Sequence, residues 1–537
     1  MFTHSHNRHS QASRSSSLLR PLSVLFVLVA VAAPAAAAGG KVPYAQIEGT
    51  GSTWSQVIVQ QWIADVDANG MKVVYTGNGS STGRKDFAAG KTDFGITEIP
   101  YQGANGEHGQ ADPAPSRSFA YLPIVAGGTS FTYQVKVAGK LVKNLRLSGD
   151  TIAKIFTNKI TNWSDAAITK DNNGHALPSL PIIPVVRSDG SGTTAQFTRW
   201  LSSEHSSDWK SGMTSFFPKK GNDVAQSGSD QVMNFIASSA GNGTIGYVEY
   251  SYPVNKHFPV VKVLNAGGYF VEPTQYNVAV ALTQAKINSD LTQNLDGVYR
   301  SNDARAYPLS SYSYMLIPTG AKDTRMNSNK RQTLADFMFY SLCQGQSKAG
   351  AYGYSPLPIN LVQAGFDQLK KLGDADPKVQ LATKTATKCN NPTLVNGDPS
   401  KNHLAQIAPQ PAACDKVGAG PCGGDTGSAP TTVNDAKQSA TTTGTGSAPA
   451  SGPAAAGAGS GGAAGADAAA GGAVAADGSV QAVGGSAPVP IDLVASRAGD
   501  TRMFGIVAVL ELLAVTLIPG LAAVYMRRRD SQYDGGM

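Results

Sequence analysis

Hydrophobic and polar positions follow two periods over the first two thirds of the chain. Trp54, Val57, Ile58, Trp62, Ile63 and Val66 recur at three- and four-residue spacing, which puts them on one face of a helix, and Gly70 closes that segment. Lys72-Val73-Val74-Tyr75 and Leu180-Pro181-Ile182-Ile183-Pro184-Val185-Val186 are short runs that end in glycine-rich turns, and they predict strands. Short strands alternating with amphipathic helices predict an α/β fold with helices on both faces of its sheets. About 330 residues of this pattern, from Lys41 to Leu372, exceed one core, so two lobes are expected.

The pattern changes on either side of that body. No aromatic residue occurs between Phe366 and Phe504. Residues 423–490 are dominated by Gly, Ala, Ser, Thr and Pro, with Asp467 and Asp477 as sparse charges. Such a tract buries too little apolar area to offset its ordering entropy, and as coil its ends stand ~45 Å apart. It reads as a disordered tether. Residues 504–526 are almost wholly apolar, and as a helix they measure roughly 34 Å, enough to cross a bilayer. Arg527, Arg528 and Arg529 follow at once, which predicts a cytoplasmic tail and an external N-terminal bulk. Within that span Pro519 predicts a kink. Glu511 reads either as a contact for a partner helix or as a group reaching the interface.

At the other end, the basic, serine-rich stretch from Arg14 to Arg20 precedes an apolar run from Pro21 to Ala33 and the small residues Ala35 to Gly39. The run is shorter than the ~20 residues a span needs, so residues 1–38 read as a secretory signal peptide. Export then permits disulfides among Cys343, Cys389, Cys414 and Cys422. Three pairings are open, and none of the four lies in a CxxC motif.

Charge adds little. Lys and Arg number 44 against 37 Asp and Glu, a net +7. No dense basic stripe carries interleaved aromatics, so no nucleic-acid partner is expected. His108, His175, His205, His257 and His403 show no metal-ligand spacing, and no metal or cofactor is expected.

Candidate chemistry lies where strands give way to helices. Three segments combine glycine with small hydroxyl residues just before a helix: Gly49-Thr50-Gly51-Ser52-Thr53-Trp54, Gly77-Asn78-Gly79-Ser80-Ser81-Thr82-Gly83 and Arg187-Ser188-Asp189-Gly190-Ser191-Gly192-Thr193-Thr194. A helix start exposes unpaired N–H groups and the positive end of the dipole. Glycine allows close approach to the backbone, and hydroxyls add donors. Three such starts meeting at one cleft make an oxyanion cage.

At these residues the chain resembles the phosphate-binding component of the bacterial high-affinity phosphate ABC transporter, a periplasmic-type solute-binding family. Lys91-Thr92-Asp93-Phe94-Gly95-Ile96-Thr97-Glu98, Leu147-Ser148-Gly149-Asp150, Gly241-Asn242-Gly243-Thr244-Ile245-Gly246-Tyr247-Val248-Glu249-Tyr250 and Tyr354-Ser355-Pro356-Leu357-Pro358 carry the resemblance further, in order, from about Gln46 to Leu372. It implies a two-lobed periplasmic-binding-protein fold of type II-like topology, with lobe I at about 41–125 and 253–372 and lobe II at about 126–252. A cysteine-containing extension, 373–422, follows.

The resemblance also implies a site for inorganic phosphate and ABC permease and ATPase subunits as partners. Thr53 and Trp54 are implied as donors from the first helix start and Ser80 from the second. Arg187 is implied as the one positive charge, held by Asp189, and Ser191, Gly192 and Thr193 as the third helix start. Glu98 stands where the family usually has aspartate, the group that accepts the proton of phosphate and rejects sulfate, which lacks one.

Two other motifs compete. Gly79-Ser80-Ser81-Thr82-Gly83 also fits the nucleophile-elbow string of a serine hydrolase, with His205 or His257 as base. Gly90-Lys91-Thr92 imitates the end of a P-loop, but Lys85 stands where its first glycine belongs, which excludes nucleotide binding. The sequence thus predicts an exported, membrane-tethered binding protein rather than an enzyme. A surface-anchored sensing or adhesion protein of the same fold is the alternative.

Overall fold

The computed structural model describes residues 42–107, 110–382, 385–395 and 398–428. The expected signal peptide, the tract beyond residue 428, the apolar span 504–526 with Glu511 and Pro519, and the tail 527–537 lie outside the described residues. No helix among the described residues is long and apolar enough to cross a membrane.

The chain opens with β1 (Ile47–Gly51), α1 (Gln56–Asp67), β2 (Val73–Gly77), α2 (Ser80–Ala88) and β3 (Phe94–Thr97). The helical face read from the sequence is the buried one for Ile58, Trp62 and Val66, which have no exposed surface, with Val57 and Ile63 partly covered; Trp54 is equally buried but lies in the turn before α1. A hairpin of β4 (Gly103–Glu107) and β5 (Gln110–Asp112) leads into β6 (Phe119–Gln134), and a second, β7 (Lys136–Val137) with β8 (Lys140–Leu141), leaves it. β9 (Arg146–Leu147), α3 (Gly149–Phe156) and α4 (Ala166–Asp171) precede a second alternating run. That run is β10 (Ile183–Arg187), α5 (Gly192–Glu204), β11 (Val224–Gln226), α6 (Gly228–Ala237), β12 (Thr244–Glu249) and α7 (Ser251–Lys256). β13 (Lys262–Leu264), β14 (Phe270–Val271), α8 (Gln275–Leu282), β15 (Lys286–Ile287), β16 (Gln293–Asn294) and α9 (Asp296–Tyr299) follow. Then come β17 (Ser310–Pro318), α10 (Ser328–Leu342), α11 (Ile359–Ala375) and the short α12 (His403–Ile407).

One sheet of eight strands carries the architecture, in the order β11-β10-β12-β6-β17-β3-β1-β2. β1 pairs in parallel with β2 and β3, and β10 with β11 and β12. Between these parallel trios lie β6 and β17, antiparallel to each other and to their neighbours. β6 is 16 residues long, roughly 50 Å at about 3.3 Å per residue, and belongs to both halves. Its first part pairs with β17, up to Gly128, and Thr129 to Gln134 pair with β12.

The register fixes where the two trios meet. β3 ends at Thr97, level with Tyr314 and through it with Pro123. β12 ends at Glu249, level with Thr129. The carboxyl ends of both trios therefore point toward residues 123–129 of β6 from opposite directions. Loops that follow those strand ends converge on the sheet's midpoint, the place where open α/β sheets bind ligands. β13, inside the stretch expected in lobe I, hydrogen-bonds to β9, inside the stretch expected in lobe II.

The folded chain continues past Leu372. Cys343, at the end of α10, is joined to Cys389, and Cys414 to Cys422, which selects one of the three pairings. Asn391 and Thr393 both donate to the carbonyl of Leu357 at 2.9 Å. Further along, Arg146 donates to the carbonyl of Cys414 (2.9 Å), and Lys262 pairs with Asp415 (2.7 Å). Packing also passes Gly423, where the tether was expected to begin: Lys143 pairs with Asp425 at 2.8 Å, Thr426 donates to the carbonyl of Val260 at 2.7 Å and Tyr250 to that of Ser428 at 3.3 Å. The glycine content of the segment hid this, because its contacts are made by backbone and by a few polar side chains.

At the end of β12, Glu249 is fully buried, and burial pushes its carboxyl well above the ordinary range against bonds from Ser251. A raised folded value means that folding favours the protonated acid. Its stabilisation is complete below the unfolded value and is lost as pH rises through the folded one. Glu249→Gln, which stays neutral, is therefore expected to gain in thermal midpoint over the parent as pH rises from about 5 to about 8. Melting curves of both proteins across that range check this; a pH-independent difference counts against it.

Candidate functional site

The candidate residues sit where strands give way to helices or loops. Gly79 has φ +95°, a conformation that a side chain strains, and a Cβ there would lie 2.6 Å from Asp189 Oδ2. It lets the chain turn from β2 into α2, so that Ser80 opens the helix. Ser191 caps α5, its hydroxyl accepting from the N–H of Thr194 at 3.1 Å. Ahead of α1, whose N-cap Ser55 makes no side-chain cap bond, Ser52 orders the turn by accepting from the N–H of Trp54 at 2.9 Å.

These starts come from the two parallel trios and meet. Thr53, Trp54, Ser80, Glu98, Arg187, Ser191 and Thr193 are each at most 2% exposed, Gly192 is buried, and the Asp189 side chain is 14% exposed. The N–H of Gly192 donates to Ser80 Oγ at 3.1 Å, and Ser80 Oγ donates to Glu98 Oε2 at 2.6 Å. The N–H of Ser81 donates to the carbonyl of Gly190 at 3.0 Å. A Cβ at Gly192 would clash with Glu98 Oε2, so this backbone sits directly on the carboxylate.

Arg187 ends β10 and is held on both edges. Its Nε donates to Asp189 Oδ1 at 2.7 Å and its Nη2 to Asp189 Oδ2, a bidentate fork. Its Nη1 donates to Ser229 Oγ at 3.1 Å and to Thr193 Oγ1 at 3.5 Å. Burial works to lower the Arg187 pKa, yet the charge and hydrogen bonds of Asp189 together with Tyr247 and Tyr252 outweigh it, and the net direction is upward. For Asp189, burial works upward and Arg187 carries it below the usual carboxylate range. Both groups stay ionised, and the pair brings almost no net charge to the site.

Glu98 differs. Burial raises its carboxyl above the ordinary range, although hydroxyls of Ser52, Ser80 and Ser313 and the charge of Arg187 all pull downward. Ser313 Oγ lies 3.0 Å from Glu98 Oε1 and 3.0 Å from Ser55 Oγ, and Gln196 donates to the Glu98 carbonyl at 2.8 Å. The extra methylene relative to aspartate is thus accommodated by serines rather than left in solvent.

All nine sequence candidates lie in this one region. Sequence reasoning missed Ser229, Ser313, Ser55 and Tyr252, whose hydroxyl donates to the carbonyl of Thr53. Ser229 was findable: Val224-Ala225-Gln226-Ser227-Gly228-Ser229 repeats the strand, glycine and hydroxyl order of the other three starts. Ser313 carries no such signal, being one serine among several in β17. The hydrolase string finds no base here: Ser81 Oγ accepts from Arg84 at 3.5 Å, His205 pairs with Asp150 at 2.9 Å, and His257 is exposed. Among the described residues no group of His, Cys, Asp and Glu is placed to hold a metal ion.

A family model described as a PBP superfamily domain matches residues 32–344. The phosphate-binding protein PstS of Methanocaldococcus jannaschii is 31% identical over 346 residues, covering 61% of this chain and 86% of that protein. Phosphate-binding protein PstS 2 of Mycobacterium tuberculosis is 30% identical over 329 residues, covering 60% and 84%. Among solved structures, the phosphate-binding protein of Stenotrophomonas maltophilia aligns with 60% of this chain and 92% of its own at 19% identity, with a TM-score of 0.44.

The contact of Gly192 with Glu98 and Ser80 gives a direct test of this packing. Gly192→Ala is expected to cost about 1–3 kcal/mol of folding stability, the usual penalty of overpacking. Denaturant unfolding measures it; an unchanged midpoint would show that Glu98 swings aside freely.

Proposed function

The chain belongs to the PBP superfamily and, within it, to the PstS phosphate-binding proteins, and on that premise we propose that it captures inorganic phosphate outside the cytoplasm and passes it to an ABC permease driven by ATPase subunits. The observation that carries this reading is the meeting of helix starts from both trios around one guanidinium whose charge Asp189 already balances. A dianion taken out of water needs many donors rather than excess positive charge, and N–H groups, hydroxyls and one fork of N–H bonds supply them. Thr53, Trp54, Ser80, Arg187, Ser191, Gly192 and Thr193 are the donors in this reading, and the N–H groups of Trp54 and Gly192 and the hydroxyl of Ser80 exchange their bonds to Ser52, Ser80 and Glu98 for bonds to the anion when it enters. Asp189 holds Arg187, and Glu98 accepts the hydrogen bond from the protonated oxygen of phosphate. Sulfate has no such proton, so an ionised Glu98 repels it.

In the same reading the two halves of the sheet are the lobes, about 41–125 with 253–372 and about 126–252, and they close on the anion. Residues 1–38 direct export, and the span 504–526 with Arg527 to Arg529 holds the domain to the outer face of the membrane through the part of the Gly- and Ala-rich tract that follows Ser428. The composition of these segments supports this part, and extraction of membranes at alkaline pH tests it: an integral anchor stays with the lipid.

Calorimetric titration of the protein with phosphate and with sulfate decides the ligand. Phosphate is expected to bind at micromolar concentration or below and sulfate far more weakly; no phosphate binding in that range defeats the reading. Arg187→Ala is expected to lose on the order of 100-fold or more in affinity, since it removes the site's charged donor and leaves Asp189 unpaired.

Acid should blunt discrimination. As pH falls from about 8 through the raised value of Glu98, the carboxyl gains a proton and becomes a donor, and sulfate is then tolerated. The phosphate-to-sulfate affinity ratio is expected to shrink more over that fall in the parent than in Glu98→Gln, where only the titration of phosphate itself remains.

A further inference from the structure

Hydrogen bonds tie Ser229, at the start of α6, to residues on both sides of the site. Its hydroxyl accepts from Arg187 Nη1 at 3.1 Å and lies 3.0 Å from Thr53 Oγ1. Its backbone N–H donates to the same Thr53 Oγ1 at 3.2 Å. Its neighbour Gly228 donates to Asp189 Oδ1 at 3.0 Å. Ser229 has no exposed surface, so solvent contributes nothing to the satisfaction of its hydroxyl. α6 follows β11 in one half of the sheet, and Thr53 follows β1 in the other.

Counting donors and lone pairs orders these hydrogens. A hydroxyl oxygen has two acceptor sites and one hydrogen. Arg187 is always a donor, so Ser229 Oγ spends one acceptor site on it. The N–H of Ser229 occupies one acceptor site of Thr53 Oγ1. When the Ser229 hydrogen also points at Thr53 Oγ1, both acceptor sites of Thr53 are filled, and its own hydrogen must point elsewhere. The opposite arrangement turns the Thr53 hydrogen onto Ser229 and leaves the Ser229 hydrogen without this partner. The first arrangement runs donor to acceptor from the guanidinium through Ser229 to Thr53, and such chains strengthen as each bond polarises the next.

We propose that Ser229 is a positioning residue that fixes Thr53 as a hydroxyl donor to the bound anion and couples it across the cleft to Arg187. This rests on the phosphate-binding reading above. Asp189 orients one edge of the guanidinium and Ser229 the other, so the charge and the first helix start are set as a unit. Ser229 touches the anion only through its partners. Because these bonds bridge the two halves, they oppose separation of the halves more than they assist encounter. Their loss is read in release of the anion rather than in its capture.

Release and capture of radiolabelled phosphate by the full chain, followed after an unlabelled chase and after mixing, test this. Ser229→Ala is expected to speed release about tenfold, the effect of one buried hydrogen bond, with capture changed by less than about threefold. Ser229→Thr, which keeps the hydroxyl, is expected to release close to the parent rate. The double variant Ser229→Ala, Thr53→Val is expected to release more slowly than the product of the two single effects predicts, because part of the effect of the Ser229 hydroxyl acts through Thr53 and the rest through Arg187. Parental release in Ser229→Ala overturns the proposal, as does equal acceleration in Ser229→Thr, or fully additive effects in the double variant. Should Ser229→Ala fail to fold, Ser229→Gly makes the same test. Absence of phosphate binding by the parent protein removes the functional reading and this inference with it; a binding parent with an unaffected variant removes the inference alone.

Discussion

A guanidinium almost sealed from water is the constraint on which the rest of the site depends. Arg187 is 2% exposed, and an ion so placed stands only when paired and hydrogen-bonded on every edge. Asp189 provides the pairing from two residues away in the chain, so the partnership is local. What the loop does not provide comes from α5 and α6. The site's electrostatics are thus settled inside one half of the sheet. The other half contributes mostly neutral donors and one carboxyl of shifted acidity, Glu98. The charged pair and the shifted carboxyl thus come from different halves of the sheet.

The sheet makes this division possible. Two parallel trios aimed at each other along a shared β6 bring strand ends together that are far apart in sequence, Thr97 and Arg187 among them. Neither trio holds a whole site. The register shifts at Ser313 and Tyr314 of β17, where β6 carries the extra residue Ile124, so irregularity in the middle of the sheet coincides with Ser313, the residue that bonds the Glu98 carboxylate. Local irregularity of this kind commonly re-aims a side chain near a site.

Much of this was legible in the residues themselves. The i, i+4 apolar run from Trp54 to Val66, the glycine and hydroxyl starts, and the arginine at a strand end are local signals, and local signals survive without knowledge of tertiary contacts. Ser313 and Ser55 were not legible, because their part in the site comes from register across the sheet and not from any motif near them. The polar, glycine-rich residues after Leu372 suggested a departure from the fold, yet a disulfide to Cys343 and ion pairs at Lys143 and Lys262 hold them against it. A segment poor in apolar residues can be retained by covalent and ionic ties where a sequence of that composition would otherwise come away.

The last of those ties gives the protein a mechanical character. Ser428 is bonded to Tyr250, immediately after the strand that reaches the shared middle of the sheet, and Gly427 to Glu272. A pull on the chain beyond Ser428 would therefore enter the body at the junction of β12 and α7, where Tyr250 lies, and not at some remote corner.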